Sequence, residues 1–548
     1  MPKPDESLQG VVQSLFRQIG TARDAFVPQM QTTEIGVVTS VSTGIAHVSG
    51  LPGVGADELL LFTGNIHGIA FNVDEDDIGV VLLGDFAGIS TGSAVHRTGR
   101  VMDIAVGEAL LGRVIDPLGR PLDGKPAPIT DLRLPIERPA PAIMDRAPVT
   151  APLQTGIKVI DALVPIGRGQ RELILGDRQT GKTTIAIDSI LNQKDQNVLC
   201  IYCAIGQRAS AVARSIAVLR EKGAMAYTLV LVTEGNEAPG LAYIAPYAAT
   251  SIAEYFMEKG RDVLVVYDDL TQHARAYREI SLLMRRPAGR EAFPGDIFYI
   301  HARLLERATH MNEERGGGSL TALPIIETEA QNVSAYIPTN LISITDGQII
   351  LSPTLFELGV LPALDVGKSV SRVGGKAQHP AYRSVTGDLK LEYAQFEEME
   401  TFARFGARLD ADSQKVISHG LRIRACLKQN EFSPVAVPAQ ILVLLALGAK
   451  LFDSIPLEQM SAAETAVRDA AAHISDTIKA SLETGEKLNA EDRAGLLQLV
   501  ETAIKSLPNE AAEVGNGIKI EADTDTDTDT DTDTDTDTEA DTPAEAKL

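Results

Sequence analysis

At 548 residues, 44 % of them hydrophobic and with a mean hydropathy of +0.02, the chain exceeds one core and reads as a soluble globular protein of roughly two to four domains. Its 50 basic and 74 acidic residues give a net charge of −24, and the chain stays acidic even without the segment from Glu521 onward, which argues against a basic nucleic-acid-binding face. Three cysteines are too few for a disulfide framework, a usage that suits a reducing compartment.

The opening Met1-Pro-Lys-Pro-Asp-Glu6 shows no apolar leader. Ser7 is then a candidate N-cap for a helix that lines up Leu8, Val11, Val12, Leu15, Phe16 and Ile19 on one stripe. Little sequence precedes it to cover that stripe, so docking on a partner is expected. From Glu34 to about Arg100 the pattern changes to short β-rich runs split by glycines, among them Ile35–Val41, Glu58–Phe62 and Gly79–Leu83. Closely spaced strands with tight turns predict a small β-barrel. A Pro- and Gly-rich bridge, Asp116 to Pro152, leads into strands alternating with helices through about Gly375, the pattern of a parallel sheet covered on both faces.

The chemistry sits in that alternating segment. The apolar run Leu173–Leu175 breaks into Gly176-Asp177-Arg178-Gln179-Thr180-Gly181-Lys182-Thr183, and Thr184 opens a helical pattern. This is a complete G-x-x-x-x-G-K-[ST] P-loop between a strand and a helix. Its glycines let backbone N–H groups turn toward phosphate oxygens, and the helix N-terminus adds partial positive charge. Lys182 suits the β- and γ-phosphates, and the Thr183 hydroxyl suits Mg²⁺. The chain is therefore expected to bind ATP or ADP with Mg²⁺. A second apolar strand, Asp262–Tyr267, ends in Asp268 and Asp269. Asp268 is the expected second contact to the metal, although acids at a strand end also serve as helix N-caps.

Hydrolysis also needs a group that accepts a proton from water. The strand after the P-loop helix ends in Gln207, whose amide can place a water but cannot take its proton. Glu234 and Glu327 are the alternative bases. Cys200 and Cys203 have redox-motif spacing but lie in this strand, where residues three apart face opposite ways, so they are expected to be core residues.

From Tyr382 to Leu507 the periodicity is helical and punctuated by Pro434, Pro438 and Pro456, predicting a helical bundle. The longest apolar run, Ile441–Ala449, is too short to cross a bilayer, so membrane association would come through partners. The Asp-Thr repeat from Asp523 to Thr538 holds like charges two apart with no apolar residue, a composition that predicts disorder. The expected domains are 1–30 (attachment helix), 31–100 (β-barrel), 101–380 (α/β P-loop domain), 381–510 (helical bundle) and 511–548 (acidic tail).

These motifs resemble the alpha subunits of F-type ATP synthases. The likeness is carried by the P-loop, by Ala204-Ile-Gly-Gln207, by Val266-Tyr-Asp-Asp-Leu270 and by Arg285-Arg-Pro-Ala-Gly-Arg-Glu-Ala-Phe-Pro-Gly-Asp296. Gly316-Gly-Gly-Ser-Leu-Thr-Ala-Leu-Pro324 and Pro362-Ala-Leu-Asp-Val-Gly-Lys-Ser369-Val-Ser-Arg372 extend it. The resemblance implies a β-barrel crown, a RecA-like nucleotide domain and a C-terminal helical domain. It implies three such subunits alternating with three beta subunits around a gamma stalk, on the cytoplasmic face of a bacterial inner membrane. It further implies attachment of the N-terminal helix to the delta subunit of the peripheral stalk, and coupling to H⁺ or Na⁺ transport.

On the same resemblance the protein's own site is non-catalytic. Arg372 would act in trans as an arginine finger on the beta subunit's nucleotide, with Ser369 in the same loop. Gln429 and Glu431 would line the adenine pocket. Three features depart from the family pattern: Leu361 stands where arginine is usual, Glu431 replaces a glutamine, and the loop Thr233–Gly240 differs. They suggest a divergent second bacterial copy. The alternative, a Rho-type RNA-dependent hexameric motor, needs a catalytic glutamate and a basic aromatic face. Gln207 and the acidic body speak against it.

Overall fold

The computed structural model describes residues 34–404, 410–484 and 488–506, together with scattered positions between 12 and 23. The proposed N-cap Ser7, with Leu8 and Val11 of the apolar stripe, lies outside the described residues, as does the Asp-Thr repeat. The described positions from Val12 to Arg23 are helical, and Val12, Leu15, Phe16 and Ile19 are exposed.

Six antiparallel strands, β1 (Ile35–Ser42), β2 (Ile45–Ser49), β3 (Glu58–Phe62), β4 (Ile66–Val73), β5 (Ile78–Leu83) and β6 (Ala94–Val101), close into a barrel in the order β1-β2-β5-β4-β3-β6. Alternation along the strands turns Val38, Val48, Leu60, Phe62, Val80 and Leu82 inward to fill it. Closure removes the free sheet edges that short strands would otherwise leave.

The central domain is an eight-stranded sheet. Its members are β7 (Val114–Ile115), β8 (Leu173–Gly176), β9 (Val198–Gln207), β10 (Thr228–Glu234), β11 (Asp262–Asp268), β12 (Ser319–Glu327), β13 (Gly347–Leu351) and β14 (Val370–Ser371). They lie in the order β14-β13-β8-β12-β11-β9-β10-β7, all parallel except β14 on β13. Such strands are buried on both faces, and β8, β9 and β11 are accordingly near-continuous apolar runs. Register aligns their carboxyl ends. Gly176 pairs with Glu327, and Ala204 with Asp268, while Gln207 pairs with Glu234. Ligands bind in open α/β sheets at that edge. Cys200 and Cys203 are buried in β9 as free thiols, pushed up in pKa by burial.

Four helices of this domain matter for the site: α1 (Lys182–Leu191), α2 (Pro239–Met257), α3 (Leu270–Leu283) and α4 (Tyr336–Ile344). The C-terminal part is helical: α5 (Leu389–Arg404), α6 (Ala411–Leu427), α7 (Val437–Gly448), α8 (Met460–Ala470), α9 (Asp476–Thr484) and α10 (Ala490–Lys505). The apolar run seen in the sequence is α7, buried all round from Ile441 to Leu447, which is the signature of a core helix. Among the described residues no helix is long and apolar enough to cross a membrane. The helical part is stitched to the sheet domain by polar groups. Lys158 Nζ donates to Glu464 Oε1 at 2.7 Å, and Gln440 Nε2 donates to Asp161 Oδ2 at 2.9 Å.

Candidate nucleotide site

The P-loop follows β8 and turns through two left-handed positions, Gln179 (φ 63°) and Gly181 (φ 95°), before α1 begins at Lys182. That path suits glycine at 181 and leaves the first N–H groups of α1 without intrahelical partners, facing the loop. Thr180 Oγ1 donates to the Asp177 carbonyl at 2.8 Å, tightening the turn. The Asp177 carboxylate accepts from Thr328 Oγ1 and from the Gln331 backbone, so it braces the loop from outside. Lys182 Nζ donates to the carbonyls of Gly176 (2.9 Å) and Asp177 (2.6 Å), which holds the ammonium at the loop. Burial lowers its pKa, while Glu327, Asp269, Asp268 and Asp177 favour the charged form.

The two acids at the carboxyl end of β11 divide the roles that the sequence left open between them. Asp268 turns to the P-loop: its Oδ2 accepts from Thr183 Oγ1 at 2.7 Å and from the Tyr202 hydroxyl at 2.9 Å. Asp269 is the N-cap of α3, with Oδ1 accepting from the Gln272 N–H at 2.8 Å. The peptide between them is cis. Burial raises both carboxyls, Asp269 to about 7 with help from the charge on Asp268. Two desolvated carboxyls beside a threonine hydroxyl form a hard-oxygen site suited to a divalent cation. Among the described residues no group of three His, Cys, Asp or Glu could hold a metal alone. Mg²⁺ typically takes one or two carboxylates plus substrate phosphate, so Thr183 and Asp268 fit that shared mode.

Two cavities meet at the P-loop. A polar one of about 310 Å³ is lined by Gln179, Gly181, Lys182, Thr183, Gln207, Asp268, Asp269 and Glu327. A more apolar one of about 100 Å³ is walled by Ile157, Ile185, Phe356, Leu361 and Pro362, with Gln429 and Glu431 at its margin. Gly181, Thr184, Phe356 and Glu431 line both, so phosphate-sized and base-sized spaces are adjacent. Arg178 is exposed and donates to Glu327 Oε2 at 3.1 Å. Of the alternative bases only Glu327 lines the polar cavity, and Arg178 occupies it. Glu234 is exposed at the next strand end, outside the cavity lining. Gln207 stands at the cavity wall with Nε2 3.3 Å from Asp268 Oδ1. An amide in that place orients without accepting a proton.

Gln429, which lines the apolar cavity, is held in place by three backbone groups. Its Nε2 donates to the carbonyls of Gly156 and Ser433, and its Oε1 accepts the Lys158 N–H. Glu431 is exposed, 3.9 Å from Arg214. Arg372 and Ser369 lie away from both cavities. Ser369 is buried, donating to the Asp365 carbonyl and accepting the Ile350 N–H, so it shapes its loop. Arg372 is exposed; its guanidinium donates to the Thr345 and Ile342 carbonyls at the end of α4. Tyr202 and Asp188 are site residues that the sequence reading missed.

Three family models match: the β-barrel domain of the ATP synthase alpha/beta family over residues 31–99, its nucleotide-binding domain over 156–371, and its C-terminal domain over 378–503. The protein is 71 % identical over 504 residues to ATP synthase subunit alpha 2 of Albidiferax ferrireducens, a match spanning 92 % of this sequence and 94 % of that one. It is 70 % identical over 503 residues to ATP synthase subunit alpha 1 of Marinomonas sp., spanning 92 % and 99 %. Subunit alpha 1 of Chlorobium luteolum is 64 % identical over 501 residues, spanning 91 % and 98 %. The chain belongs to the ATP synthase alpha/beta family, among its alpha subunits.

Proposed function

We propose that this protein is the nucleotide-holding, non-catalytic subunit of an F-type ATP synthase head. It binds Mg-ATP or Mg-ADP in its own P-loop site and supplies Arg372 in trans to a beta-subunit site. The observation that carries the reading is the pairing of a complete phosphate grip with Gln207 where a proton acceptor would be needed. Lys182 and the N-terminus of α1 would hold the phosphates, with Thr183 and Asp268 on the cation. Mg²⁺ supplies charge neutralisation when bound, and these residues place it. The exposed apolar side chains of Val12, Leu15, Phe16 and Ile19 support docking of the N-terminal helix on a peripheral-stalk subunit. Ion transport, of H⁺ or Na⁺, would belong to membrane subunits.

Lys182→Ala tests the grip. Charge-assisted hydrogen bonds contribute about 1.5–3 kcal/mol each, so losing two phosphate contacts should weaken Mg-ATP binding by roughly a hundredfold or more. Titration calorimetry on the full-length protein measures it. Unchanged affinity in a folded variant would remove the P-loop from the account. In the unmodified protein, Mg-ATP at a hundred times its Kd should add about 2.7 kcal/mol of stability.

A further inference from the structure

Behind the Arg372 loop lies a buried carboxyl that the P-loop site does not use. Glu172 is 0 % exposed, immediately precedes β8 and lines neither cavity at the P-loop. Its Oε2 accepts from Gln170 Nε2 at 2.7 Å, and the same amide nitrogen donates to Ser371 Oγ at 3.1 Å. The amide cannot turn round, because its Oε1 accepts the Gly167 N–H at 2.8 Å. Ser371 in turn donates to the Pro165 carbonyl and accepts the Gly374 N–H. The carboxyl also lies against bare backbone. Gly347 pairs with Ser371 where β13 meets β14, and a Cβ at Gly347 would collide with Glu172 Oε2 and the Val370 carbonyl. Glu172 Oε1 has no hydrogen-bond partner, an arrangement that costs stability. What the side chain contributes is its place: it fills the space beside Gly347 and anchors the Gln170 amide.

We propose that Glu172 is a positioning residue for Arg372: its carboxyl, packed on Gly347 and joined through Gln170 to Ser371, fixes where the guanidinium stands on the beta subunit's nucleotide. This rests on the arginine-finger reading above. Arg372 follows Ser371 directly, and its own N–H is bound to the carbonyl of Asp346, the neighbour of Gly347. Truncating Glu172 frees the Gln170 amide and opens a void beside Gly347, letting both strands that carry the loop shift. A displacement of about 1 Å in a catalytic group can cost roughly a hundredfold in rate. Lys390 of α5 also holds the loop, donating to the Ser369 carbonyl at 3.3 Å. Burial raises the Glu172 carboxyl well above the ordinary range; Asp346 adds to the shift, while the Gln170 amide, Arg372 and Lys390 oppose it. Glutamine matches such a neutral acid in shape and keeps its acceptor oxygen.

The test is ATP hydrolysis by the complex assembled from the full-length protein and its beta and gamma partners, with kcat and KM read separately. Glu172→Ala should lower kcat by about tenfold to a hundredfold and leave KM for Mg-ATP within about threefold. Glu172→Gln, which keeps an oxygen for Gln170, should return kcat to within about threefold of the unmodified complex. Added to Arg372→Ala, Glu172→Ala should cost no more than about twofold, since no guanidinium remains to be misplaced. A full additional loss in that background would make Glu172 a residue of general structure and overturn the proposal. So would a glutamine variant as impaired as alanine, or normal turnover by Glu172→Ala beside an impaired Arg372→Ala. If Glu172→Ala fails to assemble, Ser371→Ala cuts the link at its other end: a kcat loss that vanishes in the Arg372→Ala background supports the proposal, and an unchanged kcat overturns it. Near-normal turnover by Arg372→Ala itself would instead overturn the finger reading.

Discussion

Arg372→Ala is expected to lower ATP turnover of the assembled complex by about 10³-fold or more, the range over which arginine fingers act, while leaving assembly and this subunit's own nucleotide binding intact. The physical case begins with rigidity. The Arg372 N–H donates to the Asp346 carbonyl at 2.8 Å, directly after the β13–β14 pairing. Behind it Ser369 is locked to β13, while the Ser371 hydroxyl donates to the Pro165 carbonyl and accepts from Gln170. An exposed guanidinium on so firmly held a backbone can meet a phosphoryl group with little reorganisation, the condition for electrostatic catalysis. Its present partners are helix-end carbonyls, which a more strongly charged acceptor can replace. Arg372→Lys should also be impaired, because an ammonium lacks the planar fork. Steady-state hydrolysis with a check of subunit stoichiometry reads both. Near-normal turnover by the alanine complex would remove Arg372 from the mechanism.

The second large effect concerns stability. Arg307 is 1 % exposed, and each of its three guanidinium nitrogens donates a hydrogen bond. Nε and Nη2 form a fork on Glu254 at 2.7 and 2.8 Å, Nη1 reaches the Ile136 carbonyl, and Nη2 also meets Ser251 Oγ. The cluster ties α2 to the segment entering the nucleotide domain. Arg307→Met should cost about 3–5 kcal/mol, because it strands the Glu254 carboxylate in a dry site. Arg138 contacts the same carboxylate and would relieve only part of that. Adding Glu254→Met should recover much of the loss, since a hydrophobic replacement of both partners is often neutral. Denaturant midpoints of the unmodified protein and the two variants decide it, and a single-variant loss below about 1 kcal/mol would contradict the burial argument.

The sequence carried the site where chemistry forces a contiguous motif. Gly176 to Thr184 could be placed because a P-loop needs its glycines, lysine and threonine at fixed spacing between strand and helix. Barrel, sheet and bundle followed from periodicity, and the apolar run that is too short for a bilayer proves to be a core helix, buried from Ile441 to Leu447. Contacts between distant segments were illegible. Nothing local separates Asp268 from Asp269; the sheet register does, by aiming one at Thr183 and leaving the other to cap α3. Gln429 lines the apolar cavity, but nothing local foretells that its amide joins Gly156, Lys158 and Ser433, the first two more than 270 residues away. Asp188 sits mid-helix, where an acid ordinarily reads as a solvated position, yet it is buried and lines the apolar cavity together with Leu361, Pro362 and Phe356. The arrangement around Gln207 also speaks against the Rho-type alternative, since the neighbouring Glu327 is bound to Arg178.

The most direct test of the central claim mixes the purified full-length protein with Mg-ATP and follows binding and hydrolysis together, first alone and then with its beta and gamma partners. Tight binding without turnover alone, followed by turnover on reconstitution that Arg372→Ala abolishes, is the expected result. Robust hydrolysis by the isolated subunit would contradict it, and would mean that a proton acceptor other than Gln207 completes the site.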